Sequence, residues 1–123
     1  MNANERGQQT VELAQHAPDI AIATLRGEHD LDSRAELDGA LTRGSEHSFL
    51  LVDLSECGFL DSTVIGLLVV TCQRMWERDG RLELVVPAEA AALQRVMEIA
   101  GLTTFLTIHE TRSEGIAAME AAG

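Results

Sequence analysis

The chain contains no lysine, and all nine of its basic residues are arginine. This absence excludes a Walker A phosphate-binding loop, Schiff-base catalysis and a receiver domain of the response-regulator type, since each of these depends on a lysine. Tyrosine is also missing, and aromatic residues make up only 3% of the sequence. We therefore do not expect a platform on which nucleic-acid bases could stack.

Metal ligands are few and scattered. The two cysteines, Cys57 and Cys72, stand far apart, one in a predicted turn and one on a predicted helix. The four histidines follow no ligand spacing. A binding site for zinc would need such residues in close, repeated pairs. We expect no metal, no cofactor and two reduced thiols.

Long hydrophobic runs are missing as well. The longest apolar stretch, near residues 65–70, is far too short to span a bilayer. No apolar run follows the first polar residues, so no signal peptide is visible. The sequence predicts a cytoplasmic protein without membrane insertion.

Acidic residues are abundant instead. Twenty Asp and Glu residues give a formal net charge of −11. Such a surface repels nucleic acid and anionic membranes, and it suits a basic protein partner. The alternative is that the charge serves only solubility. The oligomeric state does not follow from the sequence.

The 123 residues suit one domain with its own core. We expect a disordered N-terminal tail over residues 1–7 and one α/β domain over residues 8–121. Apolar runs predict strands, and helical spacing predicts helices. The predicted strands are 10–16, 20–26, 49–54, 82–86 and 105–109, and the helices are 34–43, 63–78, 87–100 and a C-terminal helix capped by Thr111. This order predicts a mixed, mostly parallel sheet of four to five strands with about four helices packed on it.

The segment after the third strand carries the chemistry of interest. Residues 55–58 read as a turn, and Asp61, Ser62 and Thr63 lead into an apolar helix. The free N–H groups and partial positive charge of a helix N-terminus suit a phosphate. Ser62 could also be a plain N-cap, or Asp61 could cap the helix with Ser62 in its first position. Gly66 could allow close packing of that helix.

Two enzymatic readings fail. A hydrolase nucleophile at Ser62 would need a G-x-S-x-G elbow, and glycine is absent from those positions. Asp53 lies near the end of a buried strand, where a receiver keeps its phosphoacceptor, but the lysine that a receiver requires does not exist. We expect no catalytic residue and no enzymatic activity.

Three segments resemble the anti-sigma factor antagonist family, whose domain is called STAS, for sulphate transporter and anti-sigma factor antagonist. Residues 25–31 resemble a strand that ends in G-E-x-D, and residues 100–105 resemble a G-L-x-x-x-F turn with one residue fewer before the phenylalanine. Residues 51–66 resemble the strand, phosphorylation loop and helix start of the family. The common form there is D-S-[ST]-G-[LI]-G, and Val64 replaces the first glycine.

The resemblance implies a STAS-like single domain that acts as a phosphorylation-controlled, partner-switching regulator. Ser62 would be the phosphoacceptor. The partners would be an anti-sigma factor with serine kinase activity, which binds the unphosphorylated form, and a phosphatase acting on phospho-Ser62. The kinase would supply ATP and Mg²⁺.

We expect the partner to bind a patch formed by the loop 27–30, the turn 55–60 and the helix start 62–66, where the loops after two parallel strands emerge. The expected contact residues are Asp30, Asp61, Thr63, Val64 and Gly66, with Val64 as an exposed apolar contact. Asp30 could equally be a polar loop residue. The competing function is a STAS scaffold, or an accessory subunit of a transporter or signalling complex, that is never phosphorylated. A small-ligand carrier has no sequence feature behind it.

Overall fold

The computed structural model describes residues 10–29 and 34–123, which form five strands, four α-helices and one short 3-10 helix. The expected tail over residues 1–7 lies outside the described residues. The strands are β1 (Thr10–Ala17), β2 (Ile20–His29), β3 (Phe49–Leu60), β4 (Arg81–Val85) and β5 (Ile108–His109). The helices are α1 (Arg34–Gly44), α2 (Ser62–Trp76), α3 (Ala91–Ile99) and α4 (Arg112–Ala122), and the 3-10 helix is Leu102–Thr104.

The sheet is mixed and mostly parallel, which confirms the predicted fold class. Its strand order is β1-β2-β3-β4-β5. The hairpin of β1 and β2 is antiparallel, while β2, β3, β4 and β5 pair in parallel. The parallel pairing is explained by the helices that connect these strands. Two parallel neighbours can be joined only by a crossover that brings the chain back to the end of the sheet where the first strand began.

Helices cover both faces of the sheet, and each face has its own apolar core. Leu50, Val52 and Leu54 of β3 face the larger core, which α1, α2 and α3 complete. Phe49 and Leu51 of the same strand face the smaller core beneath α4. The central strand is therefore buried on both sides, which explains its unbroken apolar run.

β3 is longer than predicted. Residues 55–58, which we expected to form a turn, continue the strand to Leu60. They pair with the end of β2 through Gly27↔Cys57 and His29↔Leu60, across two register shifts. Sequence patterns missed this extension because its backbone partners come from a distant strand, and because the register shifts break the two-residue alternation of side chains.

The chain after β4 also differs in detail. Pro87 begins a turn and not a helix: Ala90 N–H donates to the Pro87 carbonyl at 3.0 Å, and α3 begins only at Ala91. Gly101 ends this helix with a φ of 76°, which suits glycine. Phe105, predicted in the last strand, lies after the 3-10 helix and outside β5. Of the helices in the described ranges, none is long and apolar enough to cross a membrane.

Candidate functional site

Ser62 lies at the junction between β3 and α2. Asp61 is the N-cap: its backbone is extended, and its Oδ1 accepts a hydrogen bond from the Val64 N–H at 3.0 Å. Ser62 is therefore the first helical residue, and its side chain is exposed. The sequence allowed either Ser62 or Asp61 as the N-cap, and in the structure Asp61 caps the helix.

The end of β2 lies directly beside this point. The Asp61 N–H donates to the His29 carbonyl at 3.1 Å, and His29 pairs with Leu60 in the parallel ladder. His29 is buried, with its Nε2 3.0 Å from the Arg26 carbonyl oxygen. The predicted convergence of the two strand ends is correct as far as His29. Asp30, the next residue and a predicted partner contact, lies outside the described residues.

Val64 does not form the exposed contact that we expected. It is the third residue of α2, it is fully buried, and it packs in the larger core with Leu68 one turn further on. With Asp61 as the cap, helical geometry turns the third position towards the sheet. The prediction of Val64 as an exposed contact is wrong, and the departure from the glycine of the family motif changes the core and not the surface.

Three other residues present themselves at the surface around Ser62. Thr63 is half-buried, and Gly66 is exposed, with no atom within 4 Å of the place where a Cβ would stand. Gly66 therefore does not serve close packing within the chain. Phe59, near the end of β3, is 47% exposed. Phe59 falls within the turn 55–60 that we expected in the partner surface, but no pattern predicted its side chain as a contact, because the register shifts between β2 and β3 hide which side chains point outward.

A groove of about 430 Å³ runs between α1 and α2 from Ser62 towards the other end of α2. Arg34 and Asp38 of α1 face Gly66, Val70 and Arg74 of α2 across it. The two arginines were not predicted as site residues. The only sequence signal for Arg34 is its four-residue spacing from Asp38, which places both residues on one face of α1.

Arg26, on the strand next to the site, is paired with two carboxylates. Arg26 donates from Nη1 to Glu12 at 3.0 Å and from Nε to Glu56 at 3.1 Å. These hydrogen bonds, first with Glu12 and then with Glu56, raise the pKa of Arg26. These ion pairs connect β1, β2 and β3, but they are exposed to solvent, so salt will screen them.

Cys57, close to the site, is a poor nucleophile. Its side chain is buried, and its Sγ donates to the Phe59 carbonyl at 3.3 Å. Burial raises the pKa of the Cys57 thiol. The thiol therefore stays protonated at neutral pH, whereas reactivity requires the thiolate.

Asp53 has a structural role. It is buried, and its Oδ1 accepts from the N–H and the hydroxyl of Ser55 at 2.9 and 2.6 Å. Its Oδ2 lies 3.5 Å from Nε of Arg112, which also donates to Thr24 Oγ1 at 2.8 Å. The carboxylate thus ties α4 to the sheet. Among residues 10–29 and 34–123, there is no group of three or more His, Cys, Asp or Glu residues that could hold a metal ion.

Known proteins share this architecture. An anti-sigma factor antagonist from Mycobacterium paratuberculosis is 20% identical, with a TM-score of 0.77 over 91% of this chain and 94% of that one. SpoIIAA, an anti-sigma factor antagonist, is 21% identical in its unphosphorylated form, with a TM-score of 0.72 over 91% of this chain and 97% of that one. The phosphorylated form of Bacillus SpoIIAA gives 21% identity and a TM-score of 0.65 over 89% and 99%.

At such identities the structural matches establish the fold. The family model described as "Mlab, STAS domain" matches residues 9–108, which is most of the chain. The five-stranded mixed sheet, the Asp61-capped helix and this match agree with each other, and the chain belongs to the STAS domain family.

Proposed function

We propose that this protein is an anti-sigma factor antagonist that changes partners when Ser62 is phosphorylated. One observation carries the proposal: Ser62 is exposed in the first position of α2, while Asp61 performs the capping. A kinase can therefore reach the hydroxyl without unwinding the helix.

The chemistry of the site explains how a phosphate would act there. A phosphoserine carries a charge of about −1.5 to −2 at pH 7. The positive end of the α2 dipole and Arg34, which lines the same groove as Ser62, offset part of this charge inside the protein. The helix thus remains intact. A partner that covers Ser62 would have to desolvate the phosphate beside the Asp61 carboxylate, and it would dissociate.

The proposed partners act on this site and supply the chemistry. An anti-sigma factor with serine kinase activity binds the unphosphorylated form and brings ATP and Mg²⁺, and a phosphatase restores Ser62. This chain itself then has no catalytic role. Because the kinase needs ATP, we place the cycle in the cytoplasm.

The proposed contact surface consists of Asp30, Asp61, Thr63 and Gly66, to which the structure adds Phe59 as an apolar contact. Phe59 takes the place of Val64, because its side chain is 47% exposed and that of Val64 is buried. A bare helix surface at Gly66 allows a partner backbone or side chain to approach closely.

Phosphorylation with the cognate kinase tests the proposal directly. Intact-mass and peptide mass spectrometry should place one phosphate on Ser62 in the wild type and in Thr63→Ala, and none in Ser62→Ala. Thr63→Ala is the matched control, since it removes the neighbouring hydroxyl only. Phosphate on Thr63, or on Ser55 alone, would show that the assignment is wrong.

Charge reversal tests the surface. Asp30→Arg should weaken the complex with the anti-sigma factor and leave thermal stability nearly unchanged. Glu98→Arg is the matched control, because Glu98 is an exposed acidic residue of α3. If Glu98→Arg abolished the complex while Asp30→Arg bound like the wild type, the partner surface would lie elsewhere on the domain.

A second candidate function is a STAS scaffold, or an accessory subunit of a transporter or signalling complex, that works without phosphorylation. The observation behind it is the match of the family model described as "Mlab, STAS domain", because membership of the STAS domain family is compatible with either role. The fraction of protein phosphorylated on Ser62, measured after purification from its native cells, distinguishes the two functions. If no phosphate is found on Ser62 under any growth condition, the scaffold is supported.

A further inference from the structure

The single tryptophan of the chain lies on the surface. Trp76 is the last residue of α2, and 75% of it is exposed. A single exposed apolar side chain is ordinary on a protein surface. When such side chains cluster, they mark interaction sites on soluble domains.

Trp76 has an aromatic neighbour across a groove. The groove encloses about 700 Å³ between the end of α2 and the segment after the 3-10 helix, where Phe105 is 50% exposed. It is lined by Cys72, Gln73, Trp76, Glu77, Thr104 and Phe105. Burial, followed by the charge of Glu83, raises the pKa of the Cys72 thiol, so this part of the lining is uncharged at neutral pH.

The charge of the groove indicates which kind of partner could bind there. Glu77 is the only charged residue among the described residues that line it. A carboxylate beside a tryptophan and a phenylalanine suits an arginine or lysine, because the faces of aromatic rings attract cations and the carboxylate pairs with them. The net charge of −11 acts in the same direction over a longer range.

We propose that this groove, which we call the Trp76 groove, docks a basic amphipathic segment of a partner protein. The apolar side of the segment covers Trp76 and Phe105, and an Arg or Lys of the segment reaches Glu77. A second copy of this chain is a poor occupant, since it would bring one net charge of −11 against another. A small molecule is poorly enclosed, because both aromatic walls are at least half exposed.

The Trp76 groove is separate from the proposed phosphorylation site. Ser62 and Trp76 begin and end α2, and fourteen residue steps of about 1.5 Å separate them by roughly 21 Å along the helix. A segment in the groove therefore does not cover Ser62. The proposal does not depend on phosphorylation, and it holds for an antagonist and for a scaffold.

The fluorescence of Trp76 measures occupancy directly, because no other tryptophan contributes. The probe is a synthetic amphipathic helical peptide with leucines on one side and arginines flanking them. A matched peptide carries glutamate at each arginine position. We expect the basic peptide to shift the Trp76 emission to shorter wavelength in a saturable way, with an affinity that falls as salt rises. The acidic peptide should cause no shift.

Two variants and one control locate the binding by anisotropy of a labelled basic peptide. Trp76→Ala and Glu77→Arg should each weaken binding by about tenfold or more. Ile99→Ala removes an exposed apolar side chain of α3 that does not line the groove, and it should bind like the wild type. Circular dichroism and thermal unfolding establish that each variant is folded.

Several results would overturn the proposal. They are equal binding of the acidic and basic peptides, the absence of a shift with both, or an unchanged affinity in folded Trp76→Ala. Sedimentation of the free protein gives a further test. A wild-type dimer that becomes a monomer in Trp76→Ala would assign the groove to a second copy of the chain.

Discussion

At the scale of single residues, helix capping and the proposed phosphorylation involve two neighbouring side chains. The Asp61 carboxylate caps α2 through the Val64 N–H, so the helix start does not depend on the Ser62 hydroxyl. Ser62 can then be modified without loss of the cap. A serine that served as cap and phosphoacceptor at once would link phosphorylation to fraying of the helix.

Substitution of Asp61 tests this division. Asp61→Ala should lower the free energy of unfolding by about 1 kcal/mol, because it removes the cap, whereas Asp61→Asn should retain most of it. Ser62→Ala should change stability little. Urea denaturation followed by circular dichroism measures all three. A larger loss in Ser62→Ala than in Asp61→Ala would mean that the serine is the cap.

Gly66 offers a test in which stability and function move in opposite directions. Gly66→Ala should stabilise the protein by roughly 1 kcal/mol, because alanine favours a helix interior and the added Cβ meets open space. It should weaken partner binding by about tenfold if a partner packs closely there, since overpacking costs about 1–3 kcal/mol. Denaturation and calorimetry measure the two effects.

Gly101→Ala is the matched control for Gly66→Ala. Its Cβ would also meet open space, but the backbone has a φ of 76°, which alanine adopts at a cost of about 1–2 kcal/mol. It should be destabilised and bind the partner normally. Equal partner affinity of Gly66→Ala and the wild type would remove Gly66 from the contact surface.

Ser62 and Val64 differ in how far their environments can be predicted from the sequence. The position of Ser62 at the start of a helix was predictable, because the strand and the helix around it are strongly apolar. The burial of Val64 was not, since it depends on whether Asp61 or Ser62 is the cap. A shift of the helix start by one residue rotates every side chain by about 100°.

At the scale of elements, an ion pair fastens α4 to the centre of the sheet. Asp53 is almost fully buried at the point where β3 leaves its apolar run, and Arg112 reaches it from the first turn of α4. The same carboxylate holds the Ser55 backbone through Oδ1. The start of the strand extension that leads to Ser62 is thus connected to the C-terminal helix.

Arg112→Ala should therefore destabilise the fold by about 1–2 kcal/mol, because it leaves a buried carboxylate with one partner fewer, although exposure of the arginine moderates the loss. Thermal unfolding measures the effect. Arg95→Ala, which removes an exposed arginine from α3, is the control and should change little. An Arg112→Ala protein as stable as Arg95→Ala would contradict a structural role for the pair.

Local and distant interactions explain which elements were predictable. Helices α1, α2 and α4 follow from spacing and caps, which act within a few residues. The extension of β3 to Leu60 depends on pairing with Gly27 and His29 of another strand. The short β5 depends likewise on β4, through Leu84↔Ile108 and Val85↔His109. No pattern within 105–109 could set its length.

At the scale of the whole molecule, α2 joins two surfaces of different character. Its first turn presents Ser62 beside the ends of β2 and β3, and its last turn presents Trp76 in an apolar groove with one carboxylate. The acidic charge of the chain favours basic partners at both. The two proposed surfaces lie roughly 21 Å apart along α2, which leaves room for one long partner or for two separate partners.

Phosphorylation should change binding and leave the fold intact. Ser62→Asp mimics part of the phosphate charge. Its free energy of unfolding should lie within about 0.5 kcal/mol of the wild-type value, because the residue is exposed at a helix N-terminus that accepts anions. Its affinity for the anti-sigma factor should fall about 100-fold, which corresponds to about 2.7 kcal/mol. Burial of one charge at an interface is sufficient for this loss.

Calorimetry against the anti-sigma factor, with Ser62→Ala as the control that binds but is never released, decides the matter. A basic peptide in the Trp76 groove should bind Ser62→Asp and wild type alike, because the two surfaces lie at opposite ends of α2. Equal affinity of Ser62→Asp and wild type for the anti-sigma factor would contradict the switch. A loss of both kinds of binding would mean that the added charge had disturbed the domain as a whole.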